Sequence, residues 1–240
     1  MPSKDAFAPT RWSLIATLQS GETVRVQEAL ETLCHAYWYP LYAYIRRAGH
    51  SPEDAADLTQ SFFAQLLEKD MLARADPARG RLRTFLLTAL QHFLCDDWRK
   101  QQRLKRGGGV VLLSIDEPLA ESLYASEPAD PMTPEAFYHR CWALTLLDRT
   151  LAGLEADYAR DGKAAIFEAL KPALADESGA PPSAEIGAAL GMEPGAVRMA
   201  VLRLRRRYRE RLLAEVATSM DAKSDAEVDE EIDALFRALS

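Results

Sequence analysis

The chain has no long hydrophobic run, and its first residues include no apolar segment. Its longest apolar stretch, Phe85 to Leu94, is interrupted by polar residues and is far shorter than the roughly 20 residues that a membrane-spanning helix needs. The first residues lack the apolar segment of a secretory signal. We therefore expect a cytoplasmic protein with no membrane contact.

Cysteine and histidine are scarce, with three and four residues among 240. Cys34-His35 and His139-x-Cys141 are metal-like pairs, but neither has a second pair at the spacing of a zinc site. The glycines Gly107–Gly109 are not followed by the Lys-Ser or Lys-Thr of a phosphate-binding loop. We therefore expect no catalytic residue, no metal site and no cofactor.

Alternating strand patterns are also missing, apart from the short segment Val110–Ile115. Helical periodicity is clear, and Ser51-Pro52 followed by two acidic residues marks one helix start. The pattern predicts an all-α fold of two helical domains joined by an extended linker. The first domain should hold helices at Arg11–Leu18, Thr23–Trp38, Leu41–Ala48, one from Ser51-Pro52 and Leu82–Lys105, with Pro40 separating the second from the third.

Composition indicates a linker between the two domains and a separate C-terminal extension. The segment after Gly107–Gly109 is rich in acids and prolines and has no basic residue, so it should be an extended linker, which on composition alone could be a passive tether. At the C-terminal end, Ile232, Leu235, Phe236 and Leu239 follow helical spacing, which suggests a self-docking or regulatory helix. The predicted domains are 1–106, a linker at 107–134, 135–216 and an acidic extension at 217–240.

The net charge of −7 is unevenly distributed. Residues 215–240 carry eight acidic and two basic side chains, so the remaining chain is nearly neutral. Two basic blocks stand out, Arg99 to Arg106 and Arg198 to Arg211. Because local fields decide binding, these blocks are candidates for contact with nucleic acid.

The segment from Ser183 to Arg207 has the layout of a helix-turn-helix. Ile186 and Leu190 give a short first helix a buried side, and Gly191 permits a sharp turn. The second helix should place its N-terminal side chains at base edges in a major groove and its later arginines at phosphates. The residues predicted to bind DNA here are Arg198, Met199, Arg203, Arg205, Arg206, Arg207 and Arg209. The alternative is an ordinary helical hairpin with a solvated basic face.

Three segments of the first domain resemble a known family. They are Tyr39-Pro-Leu-Tyr-Ala-Tyr-Ile-Arg-Arg47, Glu53-Asp-Ala-Ala-Asp-Leu-Thr-Gln-Ser-Phe-Phe63 and Arg83-Thr-Phe-Leu86. In order and spacing they resemble the extracytoplasmic-function sigma factors of the sigma-70 family. The resemblance covers about Arg11–Arg106 and Leu144–Leu213, and the helix-turn-helix falls where that family reads the upstream promoter element. It implies an initiation factor that binds RNA polymerase core and promoter DNA, with an anti-sigma factor or other regulator as a further partner.

The resemblance also assigns roles to residues. The clamp helices of the largest polymerase subunit would be bound by Asp54, Asp57, Gln60, Ser61 and Gln65. The downstream promoter element, with one base flipped from the non-template strand, would be bound by Arg79, Arg81, Arg83, Trp98, Arg99, Lys100 and Arg103. For Trp98, packing at a helix end is the alternative to stacking on a base. The linker would thread a polymerase channel.

The sequence departs from the family pattern at several positions. Phe85 and Gln91-His92 replace the usual Trp and Arg-Asn pair, and Met199-Ala200-Val201 replaces a common Ser-Arg-Leu run. Glu193 stands where the family usually has a serine that caps the helix. Because of these departures, the promoter sequences that the family prefers do not predict the promoter sequence of this chain. Two other classes of protein are alternatives to a sigma factor: a stand-alone helix-turn-helix regulator and an adaptor that binds only protein. The first helical block argues against both.

Overall fold

The computed structural model describes residues 23–68, 81–101, 117–126, 132–175, 181–220 and 224–240. Within these ranges every regular element is an α-helix, which confirms the predicted all-α class. No helix in these ranges is long and apolar enough to cross a membrane. The helices of the described residues are α1 Thr23–Arg47, α2 Pro52–Glu68, α3 Leu82–Gln101, α4 Glu117–Ser126, α5 Pro134–Arg160, α6 Ala164–Leu170, α7 Pro172–Ala175, α8 Ser183–Leu190, α9 Pro194–Met220 and α10 Asp225–Leu239.

Helix α1 passes through Pro40 without a break, so the predicted separation into two helices is wrong. A proline inside a helix removes one backbone hydrogen bond and usually kinks or ends the helix. Here four residues at a spacing of four lie on both sides of Pro40 and are completely buried: Leu33, Tyr37, Leu41 and Ile45. Burial of this continuous apolar stripe holds both halves on one axis. The predicted helix Arg11–Leu18 and the strand candidate Val110–Ile115 lie outside the described residues.

The predicted extended linker contains helix α4, so for residues 117–126 that expectation is wrong. Ala120 is completely buried, and the Tyr124 ring lies edge-on to Phe137 with centroids 5.8 Å apart. Glu121 accepts hydrogen bonds from Arg46 Nη2 at 2.7 Å and from the Tyr42 hydroxyl at 2.8 Å. This pairing lowers the pKa of Glu121. Composition predicted solvation of an acidic segment, but specific partners on α1 stabilise it as a helix.

The described chain forms two compact units. One comprises residues up to Thr145 together with Val216–Ser240, and the other is Leu146–Glu215. The unit boundaries fall inside the long helices α5 and α9. This division by contacts assigns the C-terminal extension to the first unit. The functional division at 107, 135 and 217 stays a prediction.

In the first unit, α1 packs against α2 and α3. Phe62 of α2 and Phe93 of α3 meet edge to face, with ring centroids 5.8 Å apart. The predicted C-terminal helix is confirmed as α10, and its Val228 and Leu235 are buried. Burial of aromatic and aliphatic side chains is the main source of stability for this unit.

The second unit has its own hydrophobic core. It is formed by α5, α6, α8 and α9 through the side chains of Leu154, Tyr158, Phe167, Leu170, Ile186, Val197, Ala200 and Leu204. Side chains from α8 and α9 therefore share one core, which fixes the position of one helix against the other.

Candidate functional site

The predicted polymerase-binding residues lie on α2, whose predicted start at Ser51-Pro52 is confirmed. The Ser51 hydroxyl accepts a hydrogen bond from the Asp54 backbone N–H at 3.1 Å and donates one to Asp54 Oδ2 at 2.8 Å. Asp54 thus takes part in the N-terminal cap of α2, and its charge lies at the favourable end of the helix dipole. This capping role is additional to the predicted role in binding.

One side of α2 is packed and the other is open. Ala55, Phe62 and Leu66 are completely buried. On the opposite side Asp54, Asp57 and Ser61 are exposed, and Gln60 and Gln65 are half-buried. Because residues three and four apart are neighbours on a helix, these five form one continuous polar strip. The structure therefore brings the whole predicted set together on a surface backed by rigid core packing.

Thr59 lies inside this helix but belongs to its buried side. It is completely buried, and its hydroxyl donates a hydrogen bond to the Ala55 carbonyl oxygen at 2.6 Å. The bond satisfies a polar group that would otherwise be costly to bury. Thr59 is thus not part of the exposed polar strip.

Arg81 and Arg83, predicted to bind the downstream promoter element, meet a carboxylate of α10. Glu231 Oε2 lies 2.8 Å from Arg81 Nε and 2.9 Å from Arg83 Nη2. Exposure of the side chains is 33% for Arg81, 6% for Arg83 and 1% for Glu231. Both cations therefore share one buried anion in the described structure.

Arg83 is held by further contacts in the same unit. Its guanidinium carbon lies 4.3 Å from the centre of the Trp142 ring, and its carbonyl oxygen accepts a hydrogen bond from the Tyr138 hydroxyl at 2.9 Å. Burial lowers the pKa of Arg83, while the charge of Glu231 opposes that effect. The sequence carries only a weak signal for Glu231, because nothing but its place on the helical face between Val228 and Leu235 indicates burial.

The other residues predicted to bind the downstream promoter element lie wholly or partly outside the described structure. Arg79 and Arg103 lie outside the described residues, and the side chains of Trp98, Arg99 and Lys100, at the end of α3, also lie outside them. In the described ranges, no group of three or more His, Cys, Asp or Glu side chains could hold a metal ion.

In the second unit, α8 and α9 are joined by the three residues 191–193. Gly191 has φ of +65°, a left-handed conformation that glycine adopts without strain. The N–H of Met192 donates to the Gly187 carbonyl oxygen at 2.9 Å, which closes the end of α8 in a Schellman arrangement. A Cβ atom at Gly187 would collide with the Met192 carbonyl oxygen, so the turn requires glycine at both positions.

Helix α9 is held down on one side and exposed on the other. Val197 and Leu204 are completely buried against Ile186 and its neighbours. The exposed residues include six of the seven predicted DNA contacts: Arg198, Met199, Arg203, Arg206, Arg207 and Arg209. Leu202, which is not among the predicted DNA contacts, is 58% exposed on the same helix.

Arg205 differs from the other arginines of α9. Its Nε and Nη2 both donate to the Ala173 carbonyl oxygen, at 3.1 Å and 2.8 Å. These bonds tie α9 to α7, which gives Arg205 a structural role in addition to the predicted phosphate contact. The Arg207 guanidinium lies over the Tyr158 ring at 5.3 Å and 3.8 Å from Asp161, yet it stays exposed.

Comparison with known proteins gives one family match. Residues 33–104 match the model of sigma-70 region 2. No curated protein and no solved structure gives a significant match. The matched segment runs from Leu33 in α1 through α2 and α3, so it includes the polar strip of α2 together with Arg81 and Arg83. Residues 33–104 are therefore similar to sigma-70 region 2, and this match supports a place for the chain in the sigma-70 family.

Proposed function

We propose that this chain is a sigma factor of the extracytoplasmic-function type, which binds RNA polymerase core in the cytoplasm and directs initiation at promoters. It is then an initiation factor and not an enzyme. One observation carries the proposal: the segment that matches sigma-70 region 2 presents a continuous polar strip, with three of its five residues exposed, on a rigid helix. That strip contains every residue predicted to bind the polymerase.

In this proposal the polar strip of α2 docks on the clamp helices of the largest polymerase subunit. The buried side of α2 fixes the backbone, so the exposed Asp57 and Ser61 lose little conformational freedom on binding. A preorganised helix with short polar side chains suits a helical partner surface. Asp57 and Gln60 are the central pair of the strip.

Promoter DNA is bound at two places in this proposal. The predicted downstream residues, from Arg79 to Arg103, bind the opened downstream element, where a flipped base costs a few kcal/mol that phosphate contacts offset. Helix α9 binds the upstream element, with Arg198, Met199 and Arg203 at base edges and the later exposed arginines at phosphates. The buried contacts of Val197 and Leu204 support this presentation of α9.

Transcription reconstituted with purified core polymerase tests the proposal. The chain should comigrate with core and permit initiation at a specific start site, and failure of both contradicts it. The docking surface is tested with the double variant Asp57→Ala/Gln60→Ala. Loss of two contacts at the centre of an interface should weaken core binding by about tenfold or more.

The matched control is Asp229→Ala, which removes one exposed carboxylate from α10. Its core affinity should stay within about twofold of the original chain, since isolated surface charges contribute little. Equal core affinities for the double variant and this control contradict the docking surface. A stand-alone operator-binding regulator, the alternative function, predicts tight duplex binding by the intact chain without core and no comigration.

A further inference from the structure

Helix α10 belongs to no part of the region 2 match, yet it is docked in the first unit. Ser224 caps its start by accepting a hydrogen bond from the Glu227 N–H at 3.4 Å. Val228, Glu231 and Leu235 form one buried stripe at helical spacing. At the far end, Arg140 Nη1 donates to the Leu239 carbonyl oxygen at 3.2 Å. The helix is thus held at both ends as well as along its apolar face.

The face of α10 that is not buried is strongly acidic. Its exposed carboxylates are Asp225, Glu227, Asp229, Glu230 and Asp233. The one buried carboxylate, Glu231, is the partner of Arg81 and Arg83. Carboxylate and phosphate present the same pair of acceptor oxygens to a guanidinium. An acidic helix therefore lies where a nucleic-acid backbone would have to lie to meet these arginines.

We propose that α10 is an intramolecular cover over the downstream promoter-binding arginines, and that nucleic acid and Glu231 compete for Arg81 and Arg83. The inference rests on the proposed function for the role of these two residues. Arg83 is 6% exposed, so no phosphate reaches its guanidinium while Glu231 and the Trp142 ring enclose it. The two contacts are mutually exclusive, and binding of the strand requires α10 to leave.

The test compares the full chain with Glu231→Gln and with the control Glu230→Gln. Both substitutions remove one negative charge from the same helix, but Glu230 is exposed and Glu231 is buried against the arginines. Affinity for a fluorescein-labelled, mixed-sequence single-stranded oligonucleotide is measured by anisotropy over a range of salt concentrations. Glu231→Gln should bind about tenfold more tightly than the original chain, and Glu230→Gln should stay within about twofold.

The salt dependence identifies which groups produce the gain. With two further phosphate contacts, the slope of log affinity against log salt should become steeper by about 1.4, since each contact on a single strand adds about 0.7 to the slope. Adding Arg81→Gln to Glu231→Gln should remove about half of that increment. A gain with an unchanged slope would show a general effect of charge and would overturn the proposal.

A second variant is needed in case α10 stays docked in Glu231→Gln. Leu235→Ser places a hydroxyl at a completely buried position of α10 and leaves Glu231 and both arginines in place. Hydrogen exchange of the α10 amides reports whether the helix has left its site in each variant. Release of α10 without tighter binding of the oligonucleotide overturns the cover.

Failure of the cover can be told apart from failure of the sigma assignment. If core binding and initiation succeed but released α10 gives no gain in oligonucleotide affinity, the cover is wrong and the sigma assignment stands. If the gain and its slope are found but no variant comigrates with core, α10 still covers a nucleic-acid-binding surface and the sigma assignment is wrong. In the original chain, saturating oligonucleotide should also accelerate exchange of the α10 amides.

Discussion

Substitution of Gly187 by alanine tests whether the turn between α8 and α9 is set by close backbone approach. A Cβ atom at this position would collide with the Met192 carbonyl oxygen, which belongs to the backbone and cannot rotate away. The turn must then shift, and the hydrogen bond from the Met192 N–H to the Gly187 carbonyl oxygen, 2.9 Å long, is weakened. The change alters the geometry on which the presentation of α9 depends.

The expected cost follows from opposing terms. Forcing an extra carbon into a packed site costs about 1–3 kcal/mol, and loss of one hydrogen bond adds about 0.5–1.5 kcal/mol. Alanine recovers about 1 kcal/mol over glycine through its higher helix propensity. The free energy of unfolding should therefore fall by about 0.5–3.5 kcal/mol, with a Tm decrease of roughly 2–4 °C for each kcal/mol.

The matched control is Gly195→Ala, in the first turn of α9. A Cβ atom there would meet only Arg198 Nη2, at an ordinary contact distance of 3.9 Å. The free energy of unfolding of this variant should rise by about 0.4–1 kcal/mol, because alanine restricts the conformations of the unfolded chain. Thermal and urea unfolding of both variants, followed by circular dichroism, measure the difference. Equal or greater stability of Gly187→Ala relative to Gly195→Ala would refute the steric reasoning.

Two further predictions follow from the half-buried side chains of Arg205 and His139. Arg205→Ala should lower the free energy of unfolding by about 1–3 kcal/mol, because it removes the hydrogen bonds to the Ala173 carbonyl oxygen. The control Arg206→Ala, at an exposed site, should change the free energy of unfolding by less than about 0.5 kcal/mol. Similar urea midpoints for the two variants would contradict the structural role of Arg205. Burial, with the charges of nearby arginines, lowers the pKa of His139 from 6.5 to about 4, so the unfolded chain takes up a proton first as the pH falls. Stability should hold above pH 6.5 and decline towards pH 4, by about 2 kcal/mol near pH 5, and His139→Gln should abolish that part of the decline in urea titrations.

Local signals predicted much of the fold. Ser51-Pro52 marks the start of α2 because a capping hydroxyl and a fixed proline φ act within one turn. Gly191 marks the end of α8 because only glycine adopts its left-handed backbone freely. Apolar spacing also predicted the C-terminal helix. Each of these features depends on neighbours a few residues away.

Pro40 and the linker show where local rules were insufficient. Proline disfavours a helix interior, yet tertiary burial on both sides of Pro40 outweighs that cost. An acidic segment with several prolines favours an extended chain, yet Arg46 provides Glu121 with a partner 75 residues away and α4 forms. In both cases the stabilising contact comes from another part of the chain.

The sequence by itself determined where α2 begins, where α8 ends, which helical faces are apolar and where positive charge is concentrated, because caps act within one turn and spacing of three and four residues fixes a helical face. Only the tertiary structure decided that Arg83 lies buried against Glu231, which is 148 residues away. A periodic pattern specifies a face but not its partner, since the choice of partner depends on how all the faces pack at once.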